Sequence, residues 1–273
     1  MLLPRILTAL VGIPLVLAAI YFGGIFYMAF VIAIILLCLY EYGLILLTAK
    51  KPVNRISLII FGIVMIIGAV TGSADAYFKV PSNLPSFFMA LCLAGVFIVE
   101  VLTPKRSLER AANTLLGIIF IPWALSHLIN IRMIEPYGEY FTFMMFFTIW
   151  ATDTGAYFSG RFFGRHSLNK EVSPKKTWEG TIGGTIIGVG VALLCWNLFF
   201  PGYITMGQAA FLGFIISALG QVSDLSQSIL KRSAGVKDSS NILPGHGGFF
   251  DRFDAFLLTA PVLYYVITYI IPA

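Results

Sequence analysis

Long apolar runs separated by short polar stretches make up most of the chain. A helix of about 20 mostly apolar residues spans the hydrocarbon layer of a bilayer. On that ruler nine spans are expected: 5–22, 24–47, 57–72, 86–103, 113–133, 140–160, 178–200, 204–228 and 247–271, the third of them short. The strict apolar–polar alternation of an outer-membrane barrel is absent, so the runs are read as helices that satisfy their own backbone hydrogen bonds. The predicted fold class is all-α, a polytopic transmembrane helix bundle of about nine spans. Met1-Leu2-Leu3-Pro4-Arg5 leads into the first run with no small-x-small cleavage pattern, so that run is expected to be retained as a span.

The polar stretches give the orientation. With a cytoplasmic N-terminus, 16 of the 18 Lys and Arg residues fall in inside segments, and only Lys79 and Arg132 lie outside. That bias predicts N-inside and C-outside. It also explains the net charge of +5 as a topology signal, so no nucleic-acid partner is expected. Composition agrees. With 58% hydrophobic and 11% charged residues and a mean hydropathy of +0.89, the chain lacks the polar surface of a soluble globule. Cys38, Cys92 and Cys195 sit within apolar runs without paired or metal-type spacing and are read as small hydrophobes.

The two halves differ. Residues 1–135 are expected to form scaffold helices, with a role in dimerisation and lipid access. Glu41 is expected to hydrogen-bond inside the bundle or near its mouth, and Glu100 to snorkel toward Lys105 and Arg106. Residues 136–273 carry polar and small residues within the spans and two patterned cytoplasmic loops, 161–177 and 229–246, so chemistry is expected there. Gly180, Gly184 and Gly188 follow a small-xxx-small spacing that marks close helix packing, within one chain or at a dimer seam.

Asp153, Asp224, Asp251 and Asp254 lie inside or at the ends of predicted spans, and the topology brings all four to the cytoplasmic side. Acids in such places are costly and point to function. Asp251 and Asp254 stand at i and i+3, predicted on one helix face. Two such carboxylates with a third from a neighbouring helix suit a hard divalent cation such as Mg2+, which completes its shell with water and phosphate oxygens. Salt bridging to Arg252, Lys231 or Arg232 is the competing reading, and a proton or sodium relay in a cation-coupled transporter is another.

The loops favour phosphate chemistry. Lys231, Arg232, Lys237 and Asp238 precede Leu243-Pro244-Gly245-His246-Gly247-Gly248, a glycine-bearing backbone whose NH groups can form an anion site. His246 is read either as a substrate contact or as a loop hydrogen bonder. In the other loop, Asp153-Thr154-Gly155-Ala156-Tyr157 continues to Arg161 and Arg165. Ser173-Pro174-Lys175-Lys176-Thr177 then ends at a helix start that Thr177 can cap. Together these features suggest a magnesium-dependent enzyme that handles a polyphosphate beside a lipid headgroup.

The stretch Ser228–Asp254 resembles the signature of the phosphatidate cytidylyltransferases (CDP-diacylglycerol synthases), and Asp153–Arg161 and Ser173–Gly180 resemble that family's second block. The detailed resemblance covers roughly residues 140–256. It implies the reaction CTP + phosphatidate → CDP-diacylglycerol + pyrophosphate in phospholipid synthesis at the inner (cytoplasmic) membrane. It also implies a homodimer among membrane lipids and a divalent cation, one or two ions, with a monovalent cation possible besides. On this resemblance Asp224, Asp251 and Asp254 would hold metal, and Lys231 and Arg232 would act beside them in catalysis. Ser173, Lys175, Lys176, Thr177, Lys237, Asp238, His246, Gly247, Gly248, Arg252 and Asp153 would bind substrate. A CTP-dependent lipid kinase and a cation-coupled transporter are the alternatives; the opening motif of a CDP-alcohol phosphotransferase is missing.

Overall fold

The structure is a computed structural model that describes residues 3–73, 84–240, 242–243, 245 and 247–271. Lys79, Asn241, Pro244 and His246 lie outside the described residues. The chain is mainly helical: α1 (Leu3–Phe22), α2 (Gly24–Thr48), α3 (Arg55–Ser73), α4 (Leu84–Leu102), α5 (Leu108–Ile118), α6 (Ala124–Arg132), α7 (Gly138–Phe163), α8 (Trp178–Phe199), α9 (Met206–Ser233) and α10 (Phe256–Tyr269). Among the described residues, α2, α4, the continuous α5–α6 helix, α8 and α9 are long and apolar enough to cross a membrane. Segments of α1, α3 and α10 are apolar but shorter.

Two compact units are formed. One comprises Met1–Met133 with Lys231–Phe253, the other Ile134–Leu230 with Asp254–Ala273. In the first, α2 buries a face of Tyr27, Val31, Ile34, Ile35, Cys38 and Tyr42 against α3 and α6. Ser107 caps α5, its hydroxyl accepting from the Arg110 NH at 3.2 Å. A π-turn at Ile119–Trp123 joins α5 to α6 around Pro122, whose missing NH prevents a regular α-helical bond there. Glu100 pairs with Arg110, at 2.6 and 2.9 Å, instead of Lys105 or Arg106. A guanidinium matches a carboxylate with two parallel donors, which the Lys105 ammonium cannot, and Arg106 Nε donates to the Val101 carbonyl at 3.1 Å.

In the second unit α7 lies along α8 at close range. A Cβ at Gly184 would sit 2.7 Å from the Thr152 carbonyl oxygen and 2.8 Å from the Ala156 methyl, and one at Gly180 would sit 2.8 Å from the Ala156 carbonyl. The glycine stripe therefore packs helices of one chain. Thr152 Oγ1 donates to Ser217 Oγ of α9 at 2.9 Å. The hydroxyl of Ser223 donates to the Asp254 carbonyl and accepts from the Leu258 NH at 3.1 Å, fixing the start of α10 beside α9.

Three expectations are corrected. Residues 167–177, expected as loop, contain an antiparallel hairpin of β1 (Ser167–Asn169) and β2 (Ser173–Thr177). Helix α9 continues to Ser233, which puts Lys231 and Arg232 in its last turn, where cations complement the helix dipole. The expected helix from 247 begins only at Phe256, so Asp251 and Asp254 stand in turns and share no helix face. The NH groups of Gly248 and Ala255 bond to the nearby carboxylates of Asp251 and Asp254, and those of Phe249 and Phe250 to the distant carboxylate of Glu41, which competes with helix formation.

Candidate active site

In the first unit the site is built around Asp251. Its Oδ1 accepts from Lys231 Nζ at 2.6 Å. Its Oδ2 accepts from the Ser239 NH at 2.8 Å, the Ser239 hydroxyl at 2.9 Å and the Gly248 NH at 3.1 Å. Asp251 and Lys231 are both buried. Burial pushes the Asp251 carboxyl up, but the hydrogen bond and charge of Lys231, with the Ser239 and Gly248 NH groups, outweigh it and lower the net value to about 2. Gly247 adopts φ 78°, a left-handed conformation open to glycine, and its carbonyl accepts from the Leu243 NH at 2.9 Å. That turn aims the next NH, of Gly248, at Asp251.

Behind Asp251 stands a residue that reasoning from sequence placed only loosely. Glu41 of α2 is fully buried. Its Oε1 accepts from the Ser240 hydroxyl at 2.6 Å and the Phe249 NH at 3.0 Å. Its Oε2 accepts from the Ser239 hydroxyl at 2.8 Å and the Phe250 NH at 2.8 Å. An acid within an apolar run of 25 residues was a signal of a polar contact. Partners about 200 positions away could not be read from it. Ser239 was missed as well.

The second unit carries a similar pair. Asp224 Oδ2 accepts from Lys176 Nζ at 2.7 Å, and Asp224 Oδ1 accepts weakly from Ser228 at 3.4 Å. Asp224 and Ser228 stand at i and i+4 on one face of α9. Lys176 is positioned by β2, which ends at Thr177; the Thr177 hydroxyl accepts from the Gly180 NH at 3.1 Å and caps α8. Glu179 in the first turn of α8 accepts from the Arg165 and His166 NH groups and from His166 Nδ1 at 2.6 Å, which ties down the chain after α7.

The remaining expected residues are distributed as follows. Lys175, Lys237, Asp238 and Arg252 are exposed, and Ser173 is half-buried in β2. Arg232 is exposed and near the Val236 carbonyl at 3.5 Å. Asp254 Oδ1 accepts from the Ala255 NH at 2.8 Å. Asp153 lies on the outer surface of α7.

Among the described residues no three His, Cys, Asp or Glu side chains form a ready metal cage. Magnesium does not need one, because it binds through one or two carboxylates and takes its other ligands from water and phosphates. Asp251 and Asp224 carry hard oxygen donors of the kind Mg2+ takes, each of them paired here with a lysine.

The comparisons with known proteins decide the class. The model of the "Cytidylyltransferase family" matches residues 3–270. The chain belongs to that family. It is therefore a nucleotidyltransferase. Among its relatives, a phosphatidate cytidylyltransferase of Synechocystis sp. is 30% identical, over 98% of this chain and 97% of its own. One of Haemophilus influenzae is 33% identical, over 97% and 98%, and one of Bacillus subtilis is 41% identical over 56% of each chain.

Proposed function

We propose that this chain transfers the cytidylyl group of CTP to phosphatidate, giving CDP-diacylglycerol and pyrophosphate for phospholipid synthesis. The observation that carries the reading is similarity over nearly the whole length to relatives named phosphatidate cytidylyltransferase. A phosphate oxygen of phosphatidate attacks the α-phosphorus of CTP, the bond from that phosphorus to the bridging oxygen breaks, and pyrophosphate leaves. A phosphate monoester, with a second pKa near 6, is already largely ionised at neutral pH, so no strong base is required. Catalysis rests on positioning and on charge stabilisation.

In this reading Lys231 and Arg232, with Lys237 and the Gly247 backbone, offer donors to phosphate oxygens, while the Gly248 NH stays on Asp251. Lys175 and Lys176, with Ser173 and Thr177, do the same on the hairpin side. Asp224, Asp251 and Asp254 are the carboxylates assigned to Mg2+. A bound divalent cation would neutralise charge on the nucleotide phosphates. Lys231 holds Asp251 ionised and oriented before any ligand arrives, and Lys176 orients Asp224.

The five long apolar helices, the three shorter ones and the polar α7 support nine crossings. The basic bias supports a cytoplasmic N-terminus and active face at the inner membrane. A homodimer is part of the proposal.

The test uses purified protein in detergent with phosphatidate and CTP labelled on the α-phosphate. The expected result is label in a lipid, equimolar pyrophosphate, and loss of both with EDTA. Label recovered as CDP beside a newly phosphorylated lipid would assign a kinase. An absence of metal-dependent turnover would overturn the reading.

A further inference from the structure

We propose that Glu41 is a positioning residue for Asp251, acting through Ser239 and the backbone of Phe249 and Phe250. The inference rests on the cytidylyl-transfer reading and adds to it a residue from α2, far from the motif that carries the resemblance.

Four neutral donors converge on this one buried carboxylate, two from Ser239–Ser240 and two from Phe249–Phe250. These pairs are the two ends of the loop that closes just before Asp251, so one side chain fastens both ends. Ser239 is the shared element. Its hydroxyl stands 2.8 Å from Glu41 Oε2 and 2.9 Å from Asp251 Oδ2, and its NH donates to Asp251. With one hydroxyl proton it donates to one carboxylate at a time, while its NH stays on Asp251. Gly248 completes the cradle: a Cβ there would collide with Ser239 Oγ and both Glu41 oxygens.

Simple packing does not account for a carboxylate here. A buried acid loses several kcal/mol of hydration, roughly, and an apolar side chain of similar volume commonly packs as well or better. What an apolar residue cannot do is accept four hydrogen bonds in fixed directions. Residues that orient a ligand-bearing carboxylate from behind typically change affinity or activity about 10–100-fold when replaced.

The test is Glu41→Gln, which keeps shape but turns one acceptor oxygen into a donor. Two quantities are measured on detergent-purified protein: the rise in melting temperature on adding Mg2+ with CTP, and kcat with KM for CTP per folded molecule. The expected result is a clearly smaller melting-temperature rise and a kcat 10- to 100-fold lower. Ser239→Ala should move both in the same direction by less, and the double variant should lose little beyond Glu41→Gln. A role in stability alone predicts a lower starting melting temperature, an unchanged rise and an unchanged kcat; that result overturns the proposal. If Glu41→Gln does not fold, Ser239→Ala decides, and wild-type values for it overturn the proposal. Wild-type protein that neither transfers label nor gains stability from Mg2+ with CTP would instead refute the reading beneath.

Discussion

Two lysine–aspartate pairs, one in each unit, are nearly identical in length and differ in their surroundings. Lys231–Asp251 spans 2.6 Å with side chains 11% and 6% exposed; Lys176–Asp224 spans 2.7 Å with 29% and 31% exposed. The first aspartate is also gripped by Ser239 and Gly248, and beyond them by Glu41, whereas the second has a long contact to Ser228. Burial and a fixed hydrogen-bond shell make the first pair part of the fold. The second pair, about a third exposed, is held by fewer contacts. The same two residue types thus sit in a closed shell in one place and an open one in the other.

The largest expected effect breaks the rigid pair from one side. Lys231→Met leaves the Asp251 charge buried without its partner, and loss of one member of a buried pair costs about 3–5 kcal/mol. Thermal melting in detergent should show a strong drop together with lost turnover. Lys176→Met should separate these effects. Because that pair is about a third exposed, stability should stay within about 1 kcal/mol of wild type. Turnover should fall about 100-fold, as when one donor to a developing charge is removed.

Acid titration sharpens the contrast. The Asp251 value is held at about 2, below the ordinary carboxylate range, so its contribution to stability is present above about pH 4 and is lost as pH falls toward 2. Melting followed in EDTA between pH 5 and 2 should show this loss in wild type and not in Asp251→Asn. A smaller effect is expected from Gly248→Ala, whose methyl must displace Ser239 and Glu41, at a cost of about 1–3 kcal/mol. Hydrogen exchange at Phe249 and Phe250 should rise in that variant.

Much of this was legible from sequence, for identifiable reasons. The apolar runs follow from hydropathy and bilayer length, and the N-cap at Thr177 and the glycine stripe from local chemistry; the ends of α9 and α10 do not. The hairpin at Ser167–Thr177 escaped because three and five residues are too few to show an alternation. The missing helix at 249–255 escaped because its NH groups are taken by carboxylates, one of them about 208 residues distant. For the same reason Glu41 could be flagged as buried and polar but not given its partners. Periodicity reports what a segment does with its neighbours; it carries no record of what reaches it from another helix.

The most direct test compares pyrophosphate release by wild type and Asp251→Asn, each with CTP, Mg2+ and phosphatidate vesicles. Wild type should release one pyrophosphate per CDP-lipid formed, and the folded variant should be slower by about a thousandfold, because the carboxylate proposed to hold the charge-stabilising Mg2+ is lost. Equal rates from the two proteins would contradict the account.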